Sequence, residues 1–455
     1  MMFTAAAVMI AFSTIVCFVA AAEQIPLCGH ALTEPERLMC ELVYDIDQKS
    51  RAAAQAPTKQ NSAYNCKDLI CMCSFFNGSV IAPDGSCILE NGKKLQRVTR
   101  KEYRRMSDEE RSRFHAAMNQ LKQSGEFDVI AAWHLNLPHG AHGGPAFALW
   151  HREYSKRFEI ALRLLDPEVS LPYWDPVLDR NLPDARDSIL WSPLFFGETD
   201  PSDFVVTGPF ANWPTSDGYP AVRRELGRIN QSTLISEEQV EAAYKQTSLE
   251  RGAMAYVAPH KGCVVERANF GVLEYLHGHP HLWVGGHMLS PYTSASDPLF
   301  FVFHTYIDLL WENWRQMHQT REQRENDYPA DLVECSAPQH FRLADMKPFD
   351  GMRNIDGLSN AYTDNLYQYE QRPICSRTQP DCGSIYLFCD TAHGAPRCVS
   401  KMREGGKCDG FGRPDVCFDG VCQNGRCMAK NASEYFFHFM NNCSSLIFQA
   451  NTGKQ

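Results

Sequence analysis

The sequence predicts a mainly α-helical centre with long loops, set between two segments stapled by disulfides. The cysteine distribution and the apolar periodicity carry this reading. Of 18 cysteines, six fall between Cys28 and Cys87 and eight between Cys375 and Cys427, while Cys263 and Cys335 alone interrupt the middle. In that middle, apolar residues recur at steps of three and four, the period of a helix with one buried face. The 455 residues are 44% hydrophobic and 22% charged, which excludes disordered and collagen-like chains. A formal charge of −10 without a long Lys/Arg run leaves no footprint for nucleic acid.

Taken in order, residues 1–22 read as a signal peptide. Phe3 to Ala22 carries no charge and closes on Ala20-Ala21-Ala22 before Glu23, the small-residue pattern of a cleavage site. A run of about 20 apolar residues can also span a bilayer. No Lys/Arg stop-transfer cluster follows it, so cleavage, secretion and no membrane attachment afterwards are expected. An oxidising compartment accounts for the cysteines. Residues 23–95 form a Cys-bearing N-terminal segment with turns at Asn77-Gly78 and Asp84-Gly85, and Cys66, Cys71 and Cys73 there read as half-cystines rather than metal ligands. Asn77, Asn230, Asn431 and Asn442 begin Asn-x-Ser sequons, as a glycoprotein would carry.

The central domain is placed at 96–373. A helix from Ser107 to Gln123 opens with a capping box, Ser107 with Glu110. Phe127, Ile130, Ala131 and His134 share the next helical face, and a Gly/Pro loop containing His139 and His142 follows. Phe147, His151, Tyr154, Phe158, Ala161 and Leu165 form an apolar stripe ended by Asp166-Pro167. Phe300, His304, Ile307, Trp311 and Trp314 form another, with Asp297 as N-cap and Pro298 in the first turn. Tyr362 to Pro373 is a connector, 374–428 a Gly-rich Cys-dense module, and 429–455 a tail. The module is either a binding module or a lid over the centre.

Ten of the sixteen histidines lie between His134 and His304. Single buried histidines are commonly hydrogen-bonded core residues. Six on inward helical faces are different, because every imidazole has two nitrogens to satisfy. In His277-Gly-His-Pro-His281 the outer pair shares a helix face and His279 points away. Pro280 lies between them, so the pair is expected to converge where a helix begins near His277 or kinks there. An all-imidazole set suits copper, zinc, iron or nickel. Zinc hydrolysis is disfavoured, since Gly278 stands where a zincin helix carries its general-base Glu.

His142-Gly-Gly-Pro-Ala-Phe-Ala-Leu-Trp-His151, with Phe158-Glu159 and Leu171-Pro-Tyr-Trp-Asp175, resembles the first copper site of tyrosinases. Glu274-Tyr-Leu-His277-Gly-His-Pro-His281, with Asp297-Pro-Leu-Phe-Phe-Val-Phe-His304, resembles the second. The chain is thereby similar to the type 3 copper proteins: tyrosinases, catechol oxidases and molluscan haemocyanin units. Its Cys-rich flanks look most like those of secreted mollusc tyrosinase-like proteins. The resemblance implies an antiparallel four-helix bundle holding two copper ions, one on His134, His142 and His151, the other on His277, His281 and His304. It implies oxidation of o-diphenols, and in some members of monophenols, to o-quinones with dioxygen, in service of extracellular matrix or shell cross-linking and pigmentation.

The sequence departs from the family in two places. Gly140 stands where many members have a cysteine bonded as a thioether to the second ligand, so no thioether is expected. Gly278 replaces an Asn that, with a nearby Glu, holds a water proposed to deprotonate monophenols, which leaves diphenol oxidation the safer expectation. Glu274 stands in for that Glu, as proton acceptor or as a hydrogen-bond partner of a ligand ring. Asp308 is read as an acceptor for a ligand ring or as a surface ion pair; Tyr367-Gln-Tyr369 resembles the motif that closes phenoloxidase cores. His260, His318 and His340 are read as surface or core residues, and His287 as part of a turn. Two other functions share these residues: reversible oxygen binding, as in haemocyanin, and a structural matrix protein of low activity. A single copper domain without repeats favours the enzyme.

Overall fold

The computed structural model describes residues 28–52, 62–78, 80–82, 84–136, 140–258, 260–265 and 270–429. The leader at 1–22, Cys17, His139, the sequons at Asn431 and Asn442, and Cys443 lie outside the described residues. The helices run α1 (Glu34–Ala52), α2 (Leu69–Cys73), α3 (Asp108–Ser124), α4 (Glu126–Leu135), α5 (Phe147–Leu165), α6 (Val177–Arg180), α7 (Glu237–Lys245), α8 (Leu273–Val284), α9 (Leu299–His318) and α10 (Arg321–Asn326). The protein is helix-rich, with disulfide-stapled segments at both ends. Among the described residues, no helix is long and apolar enough to cross a membrane.

The core is built around α5 and α9, which pack along each other, with α3 on α4 and α5 and α8 on α9. Phe158 of α5 stacks on Phe301 of α9 with ring centroids 3.6 Å apart. The apolar stripe of α5 is buried except Leu165, which is 45% exposed in the last turn, where the helix runs out of the core. Burial also extends to charged residues of α5. Arg152 donates to Asp308 and Glu312 of α9, each at 2.6 Å, and Arg157 to Glu153 at 2.6 Å. Charges removed from water persist only when paired and hydrogen-bonded in this way.

Helix ends follow local chemistry. Ser107 Oγ accepts the Glu110 N–H at 3.1 Å and the Glu110 carboxylate accepts the Ser107 N–H at 2.8 Å, which completes the capping box of α3. Asp297 accepts the Leu299 N–H at 2.9 Å, so α9 starts one residue later than expected, after Pro298. Arg224 holds the same carboxylate through two 2.7 Å bonds.

Eight disulfides join the described cysteines. The six N-terminal cysteines pair among themselves, as Cys28–Cys40, Cys66–Cys71 and Cys73–Cys87. Cys263–Cys335 braces the centre. The C-terminal eight form two successive units: Cys375–Cys389 and Cys382–Cys398 around strands β5 (Leu387–Asp390) and β6 (Arg397–Ser400), then Cys408–Cys422 and Cys417–Cys427 around β7 (Gly420–Gln423) and β8 (Arg426–Ala429). Both strand pairs are antiparallel. In the N-terminal segment β1 (Val80–Ile81) pairs with β2 (Cys87–Ile88). The turn-rich reading of this segment misses α1, 19 residues long, whose inner face carries Met39, Val43, Ile46, Asp47 and Ser50.

Strands β3 (Val98–Arg100) and β4 (Tyr367–Tyr369) pair in parallel, with Arg100 opposite Tyr369. The Arg100 guanidinium lies 3.4 Å from the Tyr367 ring centroid. Tyr367 and Tyr369 both donate to Asp308, at 2.8 and 2.7 Å. The tyrosine motif therefore closes the core on the acid of α9.

Candidate metal centre

Four helices and one loop supply the site. His134 comes from α4, His142 from the loop before α5, His151 from α5, His277 and His281 from α8, and His304 from α9. The ligand nitrogens of His134, His142 and His151 lie within 4.8 Å of one another, as do those of His277, His281 and His304. The two triads adjoin: the His151 and His304 rings stack with centroids 4.3 Å apart, and His277 and His304 are 5.0 Å apart. All six rings are buried.

The orientation of the rings is set by backbone carbonyls. The Nδ1–H groups of His151, His277 and His281 donate to the carbonyls of Phe147 (2.9 Å), Glu274 (2.9 Å) and Met288 (2.6 Å). A carbonyl can only accept, so in each ring the proton sits on Nδ1 and Nε2 carries the lone pair. Nε2 of His151 and of His277 is buried without a hydrogen-bond partner. Nε2 of His134 faces Nε2 of His142 at 3.0 Å, and Nε2 of His281 faces Nε2 of His304 at 3.3 Å. Burial, aided at several positions by neighbouring imidazoles, holds all six well below the ordinary histidine range, to about 3 for His142 and about 4 for His281. Six buried imidazoles whose Nε2 atoms either face one another or, in His151 and His277, have no partner offer the neutral nitrogen donors that two borderline-soft metal ions require. The residues present fit the two copper ions implied by the resemblance.

Helix α8 begins at Leu273, a full turn before His277, and continues through Pro280 to Val284. Of the two expectations, a start near His277 or a kink there, the start is not met; Pro280 lies inside the helix and the two rings lie 4.5 Å apart. His279 points away, its Nε2 at 3.2 Å from the Gln239 amide of α7. The Gly285-Gly286 turn brings the Met288 carbonyl to His281, and His287 there accepts the Arg223 N–H at 2.8 Å.

Glu274 lines the same space. Its Oε1 accepts the Gly143 N–H at 2.6 Å and lies 3.6 Å from His142 Nδ1, while Oε2 is buried without a partner. Burial pushes the carboxyl up to about 8, against the Gly143 and Gly144 N–H groups. Asp308 touches no ligand ring and is not a surface residue. Arg100, Arg152 and two tyrosines occupy it, and His304 Nδ1 has no partner. His340, read as a surface or core residue, is a buried strut of the His142 loop. Its Nε2 donates to the His142 carbonyl at 2.9 Å and its Nδ1 accepts the Ala146 N–H at 3.4 Å. No local pattern marks it, because its partners lie almost 200 residues earlier.

Gly140 has φ = 100°, and a side chain there would meet the Gln339 carbonyl at 2.8 Å. Close approach of backbone to backbone thus excludes a cysteine, in accord with the absent thioether. Phe300 stacks on His304 (4.0 Å), and Phe147 lies against His277 and His151 (4.8 and 4.7 Å), so the rings are enclosed by aromatic side chains. The space in front of the imidazoles is lined by His134, His142, His277 and His281. It is lined too by Met39, Leu42, Val43 and Ile46 of α1, and no residue of 374–428 takes part. The C-terminal module instead packs β6 against α6, with Leu178 and Leu387 sharing one apolar cluster and Leu182 and Phe388 another. Of the two readings left open for the module, binding module or lid, the lid has no support among the described residues: α1, not the module, lines this space.

Residues 124–317 match the family described as the common central domain of tyrosinase. A tyrosinase-like protein of Caenorhabditis elegans is 45% identical over 423 residues, covering 88% of this chain and 60% of that protein. The tyrosinase of Streptomyces antibioticus is 35% identical over 243 residues, covering 49% of this chain and 84% of that one. A tyrosinase-like protein of Pinctada maxima is 29% identical over 335 residues, covering 69% of this chain and 71% of that one. The chain thus spans less than two thirds of its Caenorhabditis elegans relative.

Proposed function

This chain belongs to the tyrosinase family, and from that membership we propose that it is a secreted dicopper phenoloxidase that oxidises o-diphenols to o-quinones with dioxygen. The observation that carries the reading is the pair of adjoining, buried histidine triads, with Nε2 of His151 and of His277 unpartnered, beside a largely apolar space. His134, His142 and His151 would hold one copper and His277, His281 and His304 the other. Copper bound there would supply dioxygen activation and the redox capacity for the two-electron oxidation of a diphenol.

The remaining chemistry belongs to the chain. Phe147 and Phe300 keep water from the rings, which strengthens electrostatic interactions inside. Glu274 lines the space with one oxygen tied to Gly143 and the other without a partner; in its ionised form, which the positive charge of bound copper would favour against burial, it would take a proton from an incoming hydroxyl. Gly278 offers no side chain to assist the deprotonation of a monophenol, which favours diphenols as substrates. The eight disulfides support an oxidising, extracellular destination, where quinones react with the Lys, His and Cys side chains of matrix proteins.

The test is copper content together with oxygen uptake on catechol and on a monophenol. Two coppers per chain and rapid uptake on catechol are expected, with slower uptake on the monophenol. Fewer than two coppers after loading would overturn the reading.

A further inference from the structure

We propose that α1 is the substrate-selecting wall of the site, with Met39 and Leu42 setting the size of ring substituent that a phenol can carry to the centre. The inference rests on the phenoloxidase reading and names a determinant of its specificity. Helix α1 lies outside the central domain that carries all six histidines, yet four of its side chains line the same space as four of the imidazoles.

Met39 of α1 is seated against α8. A methyl group on Gly278 would overlap Met39 Sδ and approach Cγ to 2.9 Å. The thioether therefore occupies the volume that any side chain following His277 would need, and Gly278 and Met39 are matched. Methionine suits such a wall, since its flexible, polarisable side chain packs favourably on aromatic rings.

The wall is held in register from several sides. Cys28–Cys40 ties the chain before α1 to its second turn. Asp47, fully buried, lies 2.7 Å from His260 Nε2 and accepts from Arg51 at 2.8 Å. Gln339 donates to the Ser50 carbonyl at 2.8 Å, next to the Gly140 contact that supports the His142 loop. On the opposite edge Lys49 donates to the Tyr292 hydroxyl at 2.8 Å, one residue from Pro291, which lines the same space. A wall fixed in this way discriminates by shape. A phenol that directs its hydroxyls at the imidazoles presents the rest of its ring to α1, and bulky substituents meet Met39 and Leu42.

The experiment compares the full-length, copper-loaded protein with Met39→Ala and with Leu42→Ala, the latter at a half-buried position that tolerates truncation. Two ratios are measured: kcat/KM for 4-tert-butylcatechol over catechol, and calorimetric affinity for 4-tert-butylbenzoate over benzoate, which are not oxidised. Both ratios should rise by about tenfold, the scale on which apolar pockets discriminate by size. Ratios unchanged in both variants, with native copper content and circular dichroism, would overturn the wall. If the unmodified protein fails to oxidise catechol, the phenoloxidase reading falls while the benzoate series still decides the role of α1.

Discussion

Glu274 joins two jobs in one carboxylate. Its Oε1 fastens the loop carrying His142 through Gly143, and its Oε2 is left for chemistry. Glu274→Gln keeps an oxygen for the Gly143 N–H and removes the proton acceptor. Catechol turnover should fall by about 100-fold or more with copper content retained; undiminished turnover would leave Glu274 with the loop alone. His340 acts on the same loop from the other side. His340→Phe keeps the volume but loses the bond to the His142 carbonyl. Copper affinity at the first triad should drop by about 10- to 100-fold in a metal titration, as when partners that orient ligands are removed. At this scale the ligand histidines are legible in the chain because each sits at helical spacing or beside a distinctive Gly/Pro loop. Asp308 and His340 are not. Their partners come from distant stretches, and nothing within a few residues of either one announces them.

Among the elements, α5 and α9 show how a helix can be apolar by pattern and ionic in fact. Burial raises the Glu312 carboxyl, but Arg152 and Arg315 beside it outweigh that and hold it at about 2. An unfolded Glu titrates near 4.5. The folded carboxyl being depressed, its contribution to stability is complete above pH ~4.5 and is lost as pH falls towards 2. It amounts to about 3 kcal/mol. Thermal unfolding of the metal-free protein followed between these limits should show the loss, and Glu312→Gln should flatten it while lowering stability at neutral pH. Helix α1 was equally open to a sequence reading. Met39, Val43 and Ile46 follow steps of four and three, but the neighbouring cysteines and turns direct attention to loops. Helix α8 shows the opposite case: a local rule about proline points to a helix start or a kink near His277, and the helix begins a full turn earlier and runs through Pro280.

Across the whole molecule the disulfides divide labour. Cys263–Cys335 closes a stretch of 72 residues that includes α8 and α9, and with them His277, His281 and His304. In the chain-entropy account such a loop contributes about 4 kcal/mol. The double variant Cys263→Ala, Cys335→Ala should lose most of that in denaturant unfolding, and its copper should dissociate at lower denaturant than in the unmodified protein. The C-terminal units are each stapled by two local disulfides and dock away from the imidazoles.

The chain by itself determined the chemistry: five imidazoles on helical faces and a sixth, His142, in a Gly/Pro loop, an all-nitrogen donor set, and cysteines gathered at the two ends. These follow from residue type and short-range periodicity, which local sequence carries completely. Only the tertiary structure decided that α1 lines the same space as the imidazoles, that Asp308 is held by Arg100, Arg152 and two tyrosines, and which half-cystines meet. Those facts depend on which distant surfaces are buried together, and burial is a property of the whole packed chain.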